Sequence, residues 1–335
     1  MTTALPPINF SVATETITAG IMGHAVGDAI GVPVEFHSRD YFDTNPVTGM
    51  TAYGTHHQPS GTWSDDTSLS LCLADSLCGG YDLADQARRF IAWMDEDLWT
   101  AHGEVFDIGG TTAEAIGRLI ELLAEAGDPR VAGPSGQCNN GNGSLMRLLP
   151  LAIYDACLSS AERINRTMDA SCLTHGHPRS QIACAFQAEM VSWLLRGAPM
   201  DHALAKTQAL FTTFIEAEFP DERAAFTRTL DPHLAEYDRD DISGSGYVVH
   251  CLDASIWCNL RANTFGDAVL AAVNLGEDTD TTAAVTGGLA GLRFGLGGIP
   301  EHWRYQIARH DDLEELCARF AGACLGHWKE GGSDA

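Results

Sequence analysis

Helical spacing of apolar residues runs through almost the whole chain, and strict alternation of apolar and polar residues is nearly absent. Amphipathic helices repeat with a period near 3.6 residues, whereas half-buried strands repeat with a period of two. Segments with helical spacing follow one another through short loops. The sequence therefore predicts a single compact all-α domain over residues 14–325, with a flexible arm at residues 1–13 and a tail at residues 326–335.

The charge balance narrows the classes of partner. The chain has 45 acidic and 20 basic residues and a net charge of −25, which argues against binding to nucleic acid or to an anionic membrane surface. We find no apolar run of membrane-spanning length, and the start of the chain lacks the pattern of a signal peptide. Ten cysteines without a C-x-x-C motif indicate a reducing, cytoplasmic environment.

Two short segments place adjacent carboxylates and hydroxyls at predicted helix starts. They are Ser64-Asp65-Asp66-Thr67 and the acidic segment 276–282. Such closely spaced oxygen ligands suit Mg²⁺, Mn²⁺ or Ca²⁺. The alternative for the second segment is that Asp278, Asp280 and Thr281 only cap their helix and favour the helix dipole. If the two helix starts meet, the aspartates repel one another when buried and need one or two divalent ions for stability.

Loop 37–63 is the other conspicuous feature. It is rich in Gly, Thr, His and Pro, and its length is typical of a loop that serves a functional site rather than a simple connection. The sequence does not indicate which of its side chains takes part.

Five motifs follow one another in order between residues 20 and 294. They are Gly27-Asp28-Ala29-x-Gly31 with Val34-Glu35-Phe36, Ser64-Asp65-Asp66-Thr67, Gly141-Asn142-Gly143-Ser144-Leu145-Met146-Arg147, Thr174-His175, and Gly276-x-Asp278-x-Asp280-Thr281. Together they resemble the ADP-ribosylglycohydrolase family. Within it, the chain is most similar to the type that contains dinitrogenase-reductase-activating glycohydrolase and ADP-ribosylarginine hydrolase.

The resemblance implies an orthogonal all-α bundle that holds two Mg²⁺ or Mn²⁺ ions. The implied metal ligands are Ser64, Asp65, Asp66, Asp278, Asp280 and Thr281. Glu35 matches a mobile glutamate of the family, although it could also be an ordinary helix-end acid. The expected reaction is attack by a water molecule that a carboxylate deprotonates. Asp66 and Asp278 are the first candidates for this base and Glu35 is the next, and the sequence does not choose between the two aspartates.

A further set of residues is implied to bind the substrate. The set is Asp107, Gly109, Asn139, Asn140, Gly141, Asn142, Gly143, Ser144, His175, Ser245, Gly246 and Tyr247. Backbone N–H groups of loop 139–144 suit a diphosphate, although Asn-Gly pairs are also common in turns. Tyr247 could stack on a base or belong to the core. Asp107 could pair with a guanidinium group, or it could be a turn residue.

The expected function is metal-dependent removal of ADP-ribose from arginine on a modified protein, as an endogenous switch or as defence against an ADP-ribosylating toxin. The alternatives are hydrolysis of ADP-ribosylserine or O-acetyl-ADP-ribose, and a catalytically silent ADP-ribose-binding protein. The presence of an acid or a hydroxyl at all six implied ligand positions argues against the silent alternative. The expected partners are an ADP-ribosylated protein and ADP-ribose, without nucleic acid or membrane, and the expected state is a monomer.

Overall fold

The structure is a computed structural model that describes residues 8–10 and 12–331. In these ranges it contains fourteen α-helices and no β-strand, which confirms the predicted all-α class. The helices are α1 (Ala13–Gly31), α2 (Arg39–Thr44), α3 (Asp65–Leu77), α4 (Leu83–Glu96), α5 (Gly110–Ala124), α6 (Leu149–Tyr154), α7 (Ser160–Ser171), α8 (Pro178–Leu194), α9 (Met200–Glu218), α10 (Val248–Arg261), α11 (Phe265–Val273), α12 (Thr279–Phe294), α13 (Glu301–Gln306) and α14 (His310–Gly331).

Helices α1 and α12 pack antiparallel along a seam of small residues in the core. A Cβ atom added to Gly27 would lie 2.0 Å from the carbonyl oxygen of Ala283, and one added to Gly23 would lie 2.4 Å from that of Gly287. Only glycine permits so close an approach of two backbones. This contact brings the C-terminal end of α1 directly against the first turn of α12.

The apolar character of α1 corrects one expectation from the sequence. The segment Ala13–Val34 is long and apolar enough by composition to cross a membrane, with a mean hydropathy of 1.3 in its most apolar window. Within the fold, 89% of that window is buried, as expected for a core helix. Hydropathy alone would assign this apolar segment to a membrane. Its small residues instead allow α12 to pack closely against α1 in the core.

Both ends of the chain differ from the predicted bounds. Helix α14 continues to Gly331 rather than giving way to a tail after residue 325, because Trp328 is buried and its indole N–H donates to the carbonyl oxygen of Tyr154 over 2.8 Å. Ala13, assigned to the arm, begins α1 and is buried. The remainder of these two predictions falls largely on residues 1–7, 11 and 332–335, which lie outside the described residues.

Candidate active site

The start of α3 is held by a carboxylate from α1. Asp28 is fully buried and accepts hydrogen bonds from the backbone N–H groups of Ser64 and Thr67, at 3.0 and 3.1 Å, and from the Thr67 hydroxyl at 2.6 Å. These bonds satisfy orphan N–H groups of the first helical turn. An oxygen atom of Asp28 also lies within 4.8 Å of oxygens of Asp66 and Asp280. Because its oxygens are already engaged by α3, Asp28 serves as an anchor for that helix.

The start of α12 meets the start of α3, as the family resemblance implied. The hydroxyl of Thr279 donates to the carbonyl oxygen of Gly31 over 2.8 Å and ties α12 to α1. The hydroxyl of Thr281 donates to Oδ1 of Asp66 over 3.2 Å and ties α12 to α3. The N-terminal ends of both helices carry partial positive charge. Both ends therefore point at one acidic cluster, which consists of Asp65, Asp66, Asp278 and Asp280.

Three oxygens of this cluster suit a metal. Asp66 Oδ2, Asp278 Oδ1 and Asp280 Oδ2 are buried and have no hydrogen-bond partner in the described part of the chain. A buried carboxylate oxygen without a partner is costly, and a cation supplies the missing partner. Carboxylate and hydroxyl oxygens are the ligands that Mg²⁺ and Mn²⁺ prefer. The donor set therefore fits the divalent ions that the sequence implied.

The pKa values of the carboxyl groups in the cluster show that their ionised forms are disfavoured. Burial, followed by repulsion from neighbouring carboxylates, raises the pKa values of Asp65, Asp66 and Asp280 well above the ordinary range. Burial and the charge of Asp278 raise the pKa of Glu35 to about 8. So many acids cannot all ionise in one buried volume unless positive charge enters it.

The carboxylates of Glu35 and Asp107 flank an imidazole beside the cluster. Nε2 of His56 lies 2.5 Å from Oε2 of Glu35 and 3.8 Å from Oδ1 of Asp107. Burial and the nearby Glu35 charge raise the pKa of Asp107 to about 7. The sequence analysis missed His56, and the available signal was the length of loop 37–63, which contains it.

A cavity of about 370 Å³ opens over the cluster. Its lining residues are Glu35, Phe36, Asp65, Asp107, Ile108, Gly109, Gly110, Thr111, Thr112, Gly141, Asn142, Gly143, Met146, His175, Asp278 and Thr281. No Lys or Arg of the described chain is among them. An anionic ligand would therefore meet backbone N–H groups, including the N-terminal end of α5, rather than basic side chains.

His175 lines this cavity and is held in a neutral form. The side chain is buried, and burial followed by the nearby Arg147 charge lowers its pKa to about 3. Its Nδ1 lies 3.0 Å from the hydroxyl of Thr174, which accepts a hydrogen bond from Arg147 over 2.8 Å. A Cβ atom at Gly143 would lie 2.6 Å from the His175 ring, so glycine leaves the imidazole its place.

Comparison with known proteins decides the family. A family model described as ADP-ribosylglycohydrolase matches residues 11–330. The chain belongs to the ADP-ribosylglycohydrolase family. It is thus a member of a family of hydrolases that act on ADP-ribosyl glycosidic bonds.

Individual relatives agree with this family. An ADP-ribosylarginine hydrolase Tri1 from Pseudomonas putida is 33% identical over 312 residues, which cover 91% of this chain and 77% of that protein. An ADP-ribosyl-[dinitrogen reductase] glycohydrolase from Rhodospirillum rubrum is 28% identical, with 84% and 86% covered. A solved structure described as an ADP-ribosylglycohydrolase-related protein complex superposes with a TM-score of 0.75 at 31% identity, covering 94% of this chain and 99% of that one. The predicted family type of helical bundle is confirmed.

The implied metal ligands differ in whether they line the cavity. Of the implied metal ligands, Asp65, Asp278 and Thr281 line the cavity, whereas Ser64, Asp66 and Asp280 lie beneath it and are almost completely buried. Ser64 also acts as the N-cap of α3, because its hydroxyl oxygen accepts the N–H of Asp66 over 3.2 Å. Asp278 precedes α12 without a side-chain cap bond.

The predicted substrate-binding residues divide according to whether they line the main cavity, an adjoining cavity or neither of the two. Those that line the main cavity are Asp107, Gly109, Gly141, Asn142, Gly143 and His175. Gly246 lines an adjoining cavity of about 330 Å³, together with Glu35, Phe36, Glu277 and Asp278. The residues that line neither cavity are Asn139, Asn140, Ser144, Ser245 and Tyr247.

The Ser144 side chain reaches neither cavity. Its side chain is completely buried, and its hydroxyl oxygen accepts a hydrogen bond from the hydroxyl of Ser171 over 2.9 Å. The turn Leu145–Arg147 directs the chain into the core at this point, so the polar side chain is used internally. Ser245 and Tyr247 instead contact His250, through a hydrogen-bond distance of 2.8 Å and an edge-to-face ring contact respectively.

Proposed function

We propose that this protein removes ADP-ribose from ADP-ribosylated arginine on proteins and so reverses mono-ADP-ribosylation. The observation that carries the proposal is the position of Asp107, whose carboxylate opens onto the same cavity as Asp65, Asp278 and Thr281. A carboxylate at this point can pair with the guanidinium group on the far side of the scissile bond. The similarity to a protein named ADP-ribosylarginine hydrolase supports the same linkage.

The acidic cluster is the proposed site for two Mg²⁺ or Mn²⁺ ions. Its proposed ligands are Ser64, Asp65, Asp66, Asp278, Asp280 and Thr281. When bound, such ions can chelate the vicinal hydroxyls of the ribose and lower the pKa of a coordinated water. The unpartnered oxygens of Asp66, Asp278 and Asp280 support this assignment.

The proposed reaction breaks the bond between the anomeric carbon of the ribose and a guanidine nitrogen. Water adds its oxygen to the anomeric carbon, and the departing guanidine nitrogen gains a proton. A carboxylate takes the proton from the water, and Asp66, Asp278 and Glu35 are the candidates, because they surround the cavity or its floor. Asp107 orients the guanidinium group, so that the bond to be broken faces the acidic cluster.

The diphosphate of the substrate is proposed to lie along the part of the cavity that glycine residues line. Gly109, Gly141 and Gly143 present backbone there without side-chain obstruction. The N-terminal end of α5 adds partial positive charge. Neutral His175 can contribute a hydrogen bond without a charge.

The proposed setting is the cytoplasm, with an ADP-ribosylated protein as the partner and a monomer as the working unit. The ten free cysteines support a reducing compartment. The activity would serve an endogenous switch or protection against an ADP-ribosylating toxin.

The test is release of ADP-ribose from an ADP-ribosylarginine protein and, in parallel, from an ADP-ribosylserine peptide. Each is incubated with Mg²⁺, with Mn²⁺ and with EDTA, and Asp278→Asn is the control variant. Metal-dependent release from arginine alone, lost in Asp278→Asn, is the expected result. Release from serine alone would keep the acidic cluster as the site but overturn the role of Asp107. The absence of release from both, with ADP-ribose still bound, would overturn the proposed hydrolysis of either linkage.

A further inference from the structure

The tip of loop 37–63 is pressed against the turn that carries Glu35. The backbone N–H of Tyr53 donates to the carbonyl oxygen of Gln58 over 2.6 Å and closes a small turn around Gly54–His56. A Cβ atom at Gly54 would lie 1.7 Å from the carbonyl oxygen of Pro33, and Gly54 has a φ of +52°. Glycine is required there on both counts. The contact sets Thr55 and His56 beside the segment Val32–Glu35.

Two successive side chains of this turn contact Glu35, Thr55 at its backbone and His56 at its carboxylate. The hydroxyl of Thr55 donates to the carbonyl oxygen of Glu35 over 2.8 Å. The imidazole Nε2 of His56 lies 2.5 Å from Glu35 Oε2. The imidazole ring also contacts two aromatic rings, with centroid distances of 5.9 Å to Phe36 and 5.4 Å to Phe106.

Besides His56, the Glu35 side chain is held by a hydrogen bond with Asp107, and the backbone N–H of the next residue, Phe36, donates to the carbonyl oxygen of Glu277 over 2.7 Å. Glu35 follows the short helical turn Val32–Val34, which continues directly from α1, and its own backbone is extended, at φ −55° and ψ 150°. Its carboxylate is buried and faces the negative charges of Asp278 and Asp28. Burial and repulsion both favour rotation of the carboxylate toward water. The next residue, Phe36, is already 67% exposed.

We propose that His56 is a positioning residue that holds the Glu35 carboxylate over the cavity, at the end where the leaving group departs. The role rests on the proposed hydrolase function, in which Glu35 contacts the reacting water or the substrate. Thr55 fixes the backbone of the same residue, so the two side chains act as one clamp on Glu35. His56 therefore acts through Glu35 rather than through direct contact with the bond that breaks.

The variants of His56 separate the hydrogen bond from simple packing. His56→Gln places an amide nitrogen near the former Nε2, whereas the shorter His56→Asn does not reach Glu35, and His56→Ala removes the group. With the ADP-ribosylarginine protein, we expect kcat to fall about 10- to 100-fold in His56→Ala and His56→Asn, with little change in KM. His56→Gln should recover most of kcat. His57→Asn is the matched control, because His57 is exposed and has a positive φ that Asn tolerates.

A double-mutant cycle tests whether the effect passes through Glu35. In a Glu35→Gln background, His56→Ala should cause no further loss of kcat, because the group that it positions is already altered. Equal losses in both backgrounds would overturn the proposal, as would wild-type kcat in a folded His56→Ala protein. Melting temperatures of all variants distinguish a local effect from loss of the fold.

Backbone hydrogen exchange gives a readout that does not depend on activity. A peptide that covers residues 35–38 should exchange faster in His56→Ala and His56→Asn than in the wild type, His56→Gln or His57→Asn. Unchanged exchange in every variant would refute the clamp even if the wild type is active. Absence of ADP-ribose release by the wild type, with the expected exchange differences, would instead overturn the proposed function and leave the clamp in place.

Discussion

The side-chain amide of Asn142 donates a hydrogen bond to Oδ2 of Asp278 over 2.8 Å, across 136 residues of chain. The backbone N–H of Asn142 also donates to the carbonyl oxygen of Gly246 over 3.1 Å. Loop 139–144 thereby forms a hydrogen bond with one oxygen of Asp278. The other oxygen, Oδ1, remains without a partner in the described part of the chain. Asn142 thus orients a proposed metal ligand and lines the substrate cavity as well.

Asn142→Ala should weaken both metal binding and activity. Without the amide, Asp278 can rotate and turn Oδ1 away from the cluster, and loss of such an orienting partner costs about 10- to 100-fold. Mn²⁺ titration and initial rates of ADP-ribose release measure the two effects. Asn140→Ala is the matched control, because the one hydrogen bond of the Asn140 side chain to the described residues goes to the nearby carbonyl oxygen of Gln137. Equal effects of both variants would contradict the role of Asn142.

Removal of metal should destabilise the protein most at high pH. Burial raises the folded pKa of Asp28 to about 6 and, with neighbouring charge, that of Glu35 to about 8, whereas unfolded carboxyls titrate near 4. Between about pH 4 and pH 8 the metal-free folded state therefore binds more protons than the unfolded state, and the free energy of unfolding falls as pH rises. The gain in melting temperature on adding Mg²⁺ or Mn²⁺ should be larger near pH 8 than near pH 5.5.

Asp280→Asn provides the control for that pH dependence. It removes one buried charge, so the metal-free variant should be more stable than the metal-free wild type near pH 8 and should gain less from added metal. A gain from metal that is the same at both pH values would show that the cluster does not produce the effect.

Gly27→Ala should destabilise the fold and disturb the site. The new methyl group would lie 2.0 Å from the carbonyl oxygen of Ala283, so α1 and α12 must separate. Overpacking of this kind costs about 1–3 kcal/mol. Gly117→Ala is the control, since a Cβ atom in that part of α5 meets nothing within 4 Å, and it should stabilise by about 0.5–1 kcal/mol. Chemical denaturation measures both, and a neutral Gly27→Ala would contradict the backbone contact.

Asp107→Asn should reduce activity toward ADP-ribosylarginine without abolishing metal binding. The amide keeps the size of the side chain but loses the charge that pairs with a guanidinium group, which we expect to lower kcat/KM about 10- to 100-fold. Glu114→Gln makes the same change of charge at an exposed position of α5 and should leave kcat/KM unchanged. A loss of metal-induced stabilisation in Asp107→Asn would show that Asp107 supports the metals rather than the leaving group.

The sequence was sufficient for the features that depend on local pattern. Helical periodicity predicted the all-α class, and Ser159 and Glu162, three residues apart, form the local capping box that begins α7. The two acidic segments indicated that a divalent ion would be needed if α3 and α12 met, because adjacent aspartates are costly to bury without a cation. These inferences need only neighbouring residues or the charge of their side chains.

Only the tertiary structure decided which side chains face the site. His56 reaches Glu35, Asp28 anchors α3 from α1, and the hydroxyl of Ser144 turns into the core toward Ser171. Each position depends on contacts between segments 21 to 39 residues apart in the chain. The direction of a side chain in a loop or a tight turn is set by what packs against it, and no local periodicity encodes that neighbour.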